Sequence, residues 1–454
     1  MAVDSLGGLV RRLADALDGG PPLMIGPGQA DERSGPQADH QRRPERLPAG
    51  TALAVPTSGS TGAPKLVALS GDAIRASARA SAERLGGTGN WLLALPTDHI
   101  AGLNVVIRAF LAGAAPSPMP PRRFTPEAFA AASAALPPGP RFTSLVPTQL
   151  RRLLAGRADG IVALRTFGAV LVGGAALDPE LRARAEAAGV RVVETYGSAE
   201  TCGGCVYDGM PLAGVEVVFA PESAPESASR SAPQSAPAPD TGGRIEIAGP
   251  TLAPESTPRS VFEPAPEPMP QSAPTRGAGG RIQISGPMLA LGYALERLQA
   301  PDGPARQGST GFFERDGRRW FASSDLGRWT ADGRLSIDGR ADNALTTGGH
   351  TVAPERVESV LRALPGVAEI LVVGLADAAW GEAVTALVVP DAAGPPTLGQ
   401  LRREVKGHLD QAHAPRNLGV VPALPILAPG KPDRRAAGAL AAELAASGKL
   451  ERLG

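Results

Sequence analysis

The chemistry of this chain is concentrated first in Thr57-Ser58-Gly59-Ser60-Thr61-Gly62-Ala63-Pro64-Lys65. Glycines let backbone N–H groups turn inward without steric cost, hydroxyls add donors, and a lysine adds a point charge. That combination suits a polyphosphate, although a Ser/Thr/Gly run of this kind also serves as a plain surface turn. It is not a Walker A loop, which needs Lys-Ser/Thr directly after its last glycine on an opening helix. Here Pro64 separates Gly62 from Lys65 and Leu66 follows the lysine. Proline removes a donor and resists an interior helical turn, so the spacing predicts a mobile loop between two strands.

The elements that must position this loop follow from apolar spacing. Ala52-Leu53-Ala54-Val55 reads as a buried strand before it, and Leu6, Leu9, Val10, Leu13 and Leu17 put a helix at the start. An alanine-rich helix is expected from Ser70 to Leu85 and a strand at Trp91–Leu95. His99 then precedes an apolar run, Leu103 to Leu111, interrupted only by Asn104 and Arg108. Four residues apart, those two share one helical face. Arg108 either meets an anionic substrate group or is a structural arginine. From 141 to 200 strands and helices alternate, which implies a largely parallel sheet with ligands bound beyond the strand C-ends. Gly173-Gly174-Ala175 and Tyr196-Gly197-Ser198-Ala199-Glu200-Thr201 sit at two such ends.

Residues 220–279 are dominated by Ala, Pro, Ser and Glu and cannot build a core. They hold a local duplication, with Gly243-Arg244-Ile245-Glu246-Ile247 recurring as Gly280-Arg281-Ile282-Gln283-Ile284. The second copy continues into Leu291-Gly292-Tyr293 and is expected to be the sheet strand. Short strands with turns follow from 310 to 338. A compact α+β unit is expected after Gly339-Arg340-Ala341-Asp342, with helices from Pro354 to Leu364 and from Leu398 to Leu409, strands at Glu369–Val373 and Ala383–Val389, and an alanine-rich helix at the end.

Composition narrows the function classes. The 454 residues carry zero formal charge, so nothing argues for nucleic acid or an acidic membrane surface. Aromatics at 4 % are too few for base-stacking platforms. The first 17 residues lack the apolar core of a signal peptide. No run approaches the roughly 18 apolar residues of a membrane span. Two cysteines cannot staple a chain this long, so a cytoplasmic location is expected. Cys202-Gly203-Gly204-Cys205 has zinc-knuckle spacing but no second pair, so reduced thiols are expected there.

Taken together, six segments resemble the adenylate-forming superfamily of acyl-CoA ligases, luciferases and peptide-synthetase adenylation domains. They are the loop Thr57–Lys65, Tyr196-Gly197-Ser198-Ala199-Glu200, Ser324-Asp325-Leu326-Gly327, Gly339-Arg340-Ala341-Asp342, Gly348-Gly349-His350-Thr351-Val352-Ala353-Pro354-Glu355, and Pro429-Gly430-Lys431-Pro432-Asp433-Arg434-Arg435. They occur in the family order over residues 52 to 435, the insert apart. Within the superfamily the chain is most similar to the o-succinylbenzoate–CoA ligases of menaquinone synthesis, through Pro96-Thr97-Asp98-His99-Ile100-Ala101-Gly102-Leu103 and the segment from Thr201 to Gly209.

The resemblance implies an α/β fold, with a large N-terminal adenylate-forming domain, 1–339, and a small mobile α+β domain, 340–454. It implies a ligase that uses ATP, Mg²⁺ and coenzyme A to turn a small carboxylic acid into its CoA thioester. Ser58, Gly59, Ser60, Thr61 and Gly62, flanked by Thr57 and Lys65, would hold the β- and γ-phosphates, and Glu200 would take the metal. Gly173, Gly174, Ala175, Tyr196, Gly197 and Ser198 would frame the nucleotide, and Asp325 and Arg340 its ribose. Lys431 would bridge the acid's carboxylate and the α-phosphate. His99, Asn104, Arg108, Gly197 and Thr201 would face the acyl group, with Arg108 as candidate partner of a second carboxylate. Asp342 would be the hinge that brings Gly348 and Gly349 to CoA. Ala199 stands where the family usually has Thr, so the first half-reaction is expected to be slower or to lean on Ser198. A carrier protein in place of CoA, a nucleotide sensor without catalysis, and a homodimer stay open at this point.

Overall fold

The computed structural model describes residues 3–26, 47–57, 65–120, 124–155, 158–220, 279–294, 311–427 and 431–453. At its centre is a seven-stranded sheet. Its strands, in spatial order, are Met210–Pro211, Gly203–Tyr207, Val192–Ser198, Ala169–Gly173, Arg141–Leu145, Asn90–Leu93 and Ser117–Pro118. The five from Val192–Ser198 onward are parallel, as the alternation of strands and helices predicts, and the first two close the edge antiparallel.

Strand alternation divides this sheet's side chains between two cores. Val170, Val172 and Val192 pack with Phe129, Leu150, Leu153 and Leu181. Ala169, Leu171 and Val193 point the other way, to Ile74, Leu103 and Ile107. The helices Gly71–Leu85 and Ile100–Leu111 supply that second face. Ser70 starts the first of them by accepting a hydrogen bond from the Ala73 N–H at 3.1 Å. A cap of this kind is worth about 1 kcal/mol.

A smaller sheet carries the phosphate-loop candidate. Thr51–Thr57 and Lys65–Ser70 pair antiparallel with Thr57 opposite Lys65. The Thr57 hydroxyl donates to the Lys65 carbonyl at 3.2 Å. The flanking strands are therefore as expected, while Ser58, Gly59, Ser60, Thr61 and Gly62 lie outside the described residues. Gly292–Tyr293 joins the same sheet beside Lys65–Ser70.

A third, five-stranded antiparallel sheet holds Glu216–Ala220, Gly280–Ser285, Arg318–Trp329, Phe312–Arg315 and Leu335–Arg340. The second copy of the duplication is a strand here, as predicted, and the first copy lies outside the described residues. The sequence suggests several short strands between 318 and 329. The structure instead runs one strand through all twelve residues. An irregularity between Leu326 and Gly327 absorbs the turn-like glycine without ending the ladder.

The C-terminal part is smaller and mixed, with its own sheet and its own cores. Glu369–Asp377 and Gly381–Val389 form its central hairpin. The helices Pro354–Leu361 and Leu398–His408 cover one face, through Val357, Leu361, Leu401 and Val405. Arg434–Ala446 covers the other, through Ala437 and Ala441.

Candidate active site

Two clusters of polar groups flank the turn that ends strand Val192–Ser198. The first is built on Tyr196. Its hydroxyl donates to Asp325 Oδ2 at 2.7 Å and lies 3.4 Å from Ser323 Oγ. Ser323 Oγ also accepts the Asp325 backbone N–H at 3.0 Å. Arg340 stands directly opposite Asp325 in the antiparallel ladder. Its Nη1 lies 3.8 Å from Asp325 Oδ1, while its Nη2 donates to Asp342 Oδ2 at 2.7 Å. Burial pushes the Asp325 carboxyl above its ordinary value, against the opposing effects of the Tyr196 hydrogen bond and Arg340. Burial, then the Asp325 charge, pushes the Tyr196 phenol well up. The Tyr196 phenol thus donates to one oxygen of the Asp325 carboxyl, whose other oxygen is turned toward an arginine.

The second cluster is built on Glu200. Its Oε1 accepts from the Tyr293 hydroxyl at 2.8 Å, and Lys65 Nζ sits 5.2 Å from the centre of the Tyr293 ring. Lys65 and Tyr293 meet because their strands are adjacent in the sheet, with Tyr293 opposite Val67. Burial and the neighbouring glutamate raise the Tyr293 phenol's pKa, so it stays a donor. The chain thus brings a lysine, a tyrosine and a carboxylate to the open end of the hairpin that carries the glycine-rich segment. Magnesium takes one or two carboxylates with phosphate oxygens and water, and Glu200 is a carboxylate that could supply one such ligand.

Glycines shape the turn between these clusters. A Cβ at Gly197 would collide with the Gly203 carbonyl oxygen, so only glycine lets the two strands approach there. Gly174 has φ +81°, in the left-handed region, and opens the neighbouring strand end. Ser198 Oγ is buried and has no hydrogen-bond partner among the described residues. Ala199 beside it is buried, so the position that would carry the family hydroxyl is an apolar wall.

Three residues expected at the acyl group face the core instead. The Arg108 side chain lies over Trp91 at 5.2 Å, and its Nη2 donates to the Tyr207 hydroxyl at 2.9 Å. The Asn104 amide donates to the Cys202 carbonyl at 2.9 Å. Thr201 is fully buried, accepts the Ser198 N–H at 2.9 Å and donates to the Gly203 carbonyl at 2.8 Å. The shared face of Asn104 and Arg108 is real, but strand Gly203–Tyr207 covers it. These side chains meet buried backbone and hydroxyl groups there, while Arg108 Nε is buried with no hydrogen-bond partner among the described residues. His99 differs, since its side chain is 62 % exposed and its Nε2 lies 3.8 Å from Asp98 Oδ1. It occupies the N-cap position of helix Ile100–Leu111 without a side-chain capping hydrogen bond.

Cys202 and Cys205 are free, buried thiols, each pushed by burial to about 12. No group of three or more metal-ligating side chains occurs among the described residues, so the zinc-knuckle spacing holds no such set there. In the C-terminal part, Gly348 and Gly349 both have positive φ, and the Gly348 N–H donates to the Trp380 carbonyl at 2.9 Å. Lys431 belongs to a two-residue strand paired with Ile426–Leu427. Neither Tyr293 nor Ser323 lies in a sequence motif that marks it as a site residue. The only signal for Tyr293 was its place at the end of the duplicated segment.

Residues 12–294 match the model of the family described as AMP-binding enzyme, and residues 356–431 match that of its C-terminal domain. A probable 2-succinylbenzoate–CoA ligase of Mycobacterium tuberculosis (strain H37Rv) is 38 % identical over 397 residues, covering 86 % of this chain and 85 % of that one. Among solved structures, ATP-bound MatB from Rhodopseudomonas palustris shares the fold with a TM-score of 0.63 at 24 % identity, over 87 % of this chain and 69 % of that one. The o-succinylbenzoate–CoA synthetase of Bacillus subtilis, in complex with its acyl-adenylate intermediate, gives 0.60 at 24 % identity, over 85 % and 68 %.

Proposed function

Because the chain belongs to the AMP-binding enzyme family and is an acyl-CoA ligase of the adenylate-forming type, we propose that its acid is 2-succinylbenzoate. The observation that carries this reading is the 38 % identity, sustained over 86 % of the chain, with a probable 2-succinylbenzoate–CoA ligase. The reaction has two halves. A carboxylate oxygen of the acid attacks the α-phosphorus of ATP, and the bond to pyrophosphate breaks. The CoA sulfur then attacks the acyl carbon of the adenylate, AMP leaves, and the thiol proton passes to solvent. Neither half needs a protein nucleophile, so the work is charge neutralisation and positioning.

In this proposal Asp325 accepts from the ribose hydroxyls, and the Tyr196 hydroxyl and Arg340 hold it in place. Gly173, Gly174 and Ala175 line the adenine with the Tyr196 ring, and Gly197 lets the backbone approach. Lys65 and the segment Ser58–Thr61 take the β- and γ-phosphates. Glu200 is the ligand for Mg²⁺, which would supply charge neutralisation at the phosphates. Ser198 offers its unpartnered hydroxyl beside Ala199 to the reacting carboxylate or the α-phosphate. Lys431 meets the developing charge between acid and α-phosphate, and His99 stands at the acyl entrance. Asp342 is the hinge that turns the unit 340–454 against 1–339, so that Gly348 and Gly349 reach CoA. In this proposal Arg108, held between Trp91 and the Tyr207 hydroxyl, is a structural arginine, and another group meets the second carboxylate of the acid.

No helix among the described residues is long and apolar enough to cross a membrane. A cytoplasmic enzyme is the proposed setting. The test is ATP- and CoA-dependent thioester formation over a panel of aryl, dicarboxylic and fatty acids. The expected result is a kcat/KM for 2-succinylbenzoate at least tenfold above every other acid. A better aryl or fatty acid would remove the substrate assignment, and activity only with a carrier-bound thiol would remove CoA.

A further inference from the structure

The strand that holds Lys431 and the hinge are tied to a single carboxylate. Arg434, three residues past Lys431, donates through Nη1 to Glu358 Oε1 at 2.7 Å and to the Val372 carbonyl at 2.7 Å. Its Nη2 lies 3.1 Å from both Glu358 Oε2 and Glu355 Oε1. Glu355 Oε1 also accepts the Asn343 amide at 2.7 Å, and Asn343 directly follows Asp342. The other oxygen, Glu355 Oε2, is buried, has no hydrogen-bond partner among the described residues, and packs against Gly339, where a Cβ would collide with it. Beside this contact, Arg356 Nε lies 3.5 Å from Asp338 Oδ1.

We propose that Glu355 is a positioning residue that sets the Lys431 strand relative to the hinge, by sharing one carboxylate oxygen between Asn343 and Arg434. The inference rests on the ligase reading given above. Glu355 lies in the first turn of helix Pro354–Leu361, where a carboxylate is favoured by the helix dipole. Its two donors come from separate segments, 91 positions apart, and neither contact serves the hydrophobic core. Gly339 has φ +148° and no side chain, which lets the edge of the large lobe close onto this carboxylate. Glu355 also acts electrostatically on Asp325 and Arg340, as a minor influence beside burial. Glu358 holds Arg434 within the C-terminal lobe whichever way that lobe turns. Glu355 reaches from Arg434 to Asn343 beside the hinge.

The two half-reactions separate positioning from folding. Acyl-adenylate formation is followed by pyrophosphate exchange into ATP, and thioester formation by mixing the preformed acyl-adenylate with CoA. Their rate ratio does not depend on the fraction of enzyme folded. Glu355→Gln keeps the side-chain volume and is expected to lower the adenylation-to-thioester ratio more than threefold, because only adenylation uses Lys431. Asn343→Ala is expected to do the same, and the double variant to fall no more than twofold below the lower single variant. A ratio changed threefold or less, a ratio that rises, or multiplicative effects in the double variant would each overturn the proposal. Failure of the wild-type chain to exchange pyrophosphate with any acid would remove the ligase reading itself. Wild-type exchange with unmoved ratios would remove only the role of Glu355.

Discussion

Replacing Tyr196 by Phe removes one hydroxyl from a partly buried pair and nothing else, so its cost can be worked out from the geometry. The hydroxyl donates to Asp325 Oδ2 at 2.7 Å, a short bond to a charged acceptor. A hydrogen bond to a charged group is worth about 1.5–3 kcal/mol and one between neutral groups about 0.5–1.5 kcal/mol. The Asp325 carboxyl is already raised by burial, and the Tyr196 bond is the first influence pulling it back. Tyr196→Phe therefore raises it further. A carboxyl raised in the folded state stabilises fully below the ordinary carboxylate range and loses that stability as pH rises through its folded value. The variant should thus lose more at pH 7 than at pH 3.5, by about 1 kcal/mol on the difference between charged and neutral bonds. Urea unfolding of both proteins at the two pH values, compared at fixed ionic strength, reads that difference. An equal loss at both pH values, or a larger one in acid, would refute a charged Asp325 as the acceptor.

Three further outcomes follow from the same contacts. Arg108→Met should keep stability within about 1.5 kcal/mol, since the Tyr207 hydroxyl retains Ser81 Oγ at 2.9 Å. It should leave the acid's KM within threefold, and a tenfold rise without loss of stability would return Arg108 to the substrate. Cys202 and Cys205, with thiols near 12, should resist iodoacetamide at pH 8 until the protein is denatured. Alkylation of either thiol in the native state would contradict their burial. Deleting 221–257 should leave pyrophosphate exchange within threefold, because the strands on either side are paired, Ala220 opposite Arg281. Loss of cooperative unfolding in the deletion variant would show that the segment is required.

The elements were legible because their signals are local. Residue type and apolar spacing pointed to a helix at 70–85, an apolar helical run at 103–111 and a buried strand at 52–55, and the structure runs these elements over 71–85, 100–111 and 51–57. Turn chemistry located the glycine-rich ends of two parallel strands, and the motif order identified Asp325, Glu200 and Lys431 as residues to watch. Merging the short strands of 318–329 into one was not legible. Whether a glycine ends a strand or is absorbed depends on the partner ladder, here Leu335–Arg340.

What the sequence determined by itself was therefore the inventory: which segments are regular, which positions carry hydroxyl, carboxylate or cationic groups, and that Asn104 and Arg108 share a helical face. What only the tertiary structure decided was what each group meets. Strand Gly203–Tyr207 covers that helical face, so the arginine meets the Tyr207 hydroxyl there. Tyr196 finds Asp325 across 129 positions, and Lys65 shares Tyr293 with Glu200. Period and composition fix the direction of a side chain relative to its own element. The element packed against it decides whether that direction leads to water, to the core or to a site.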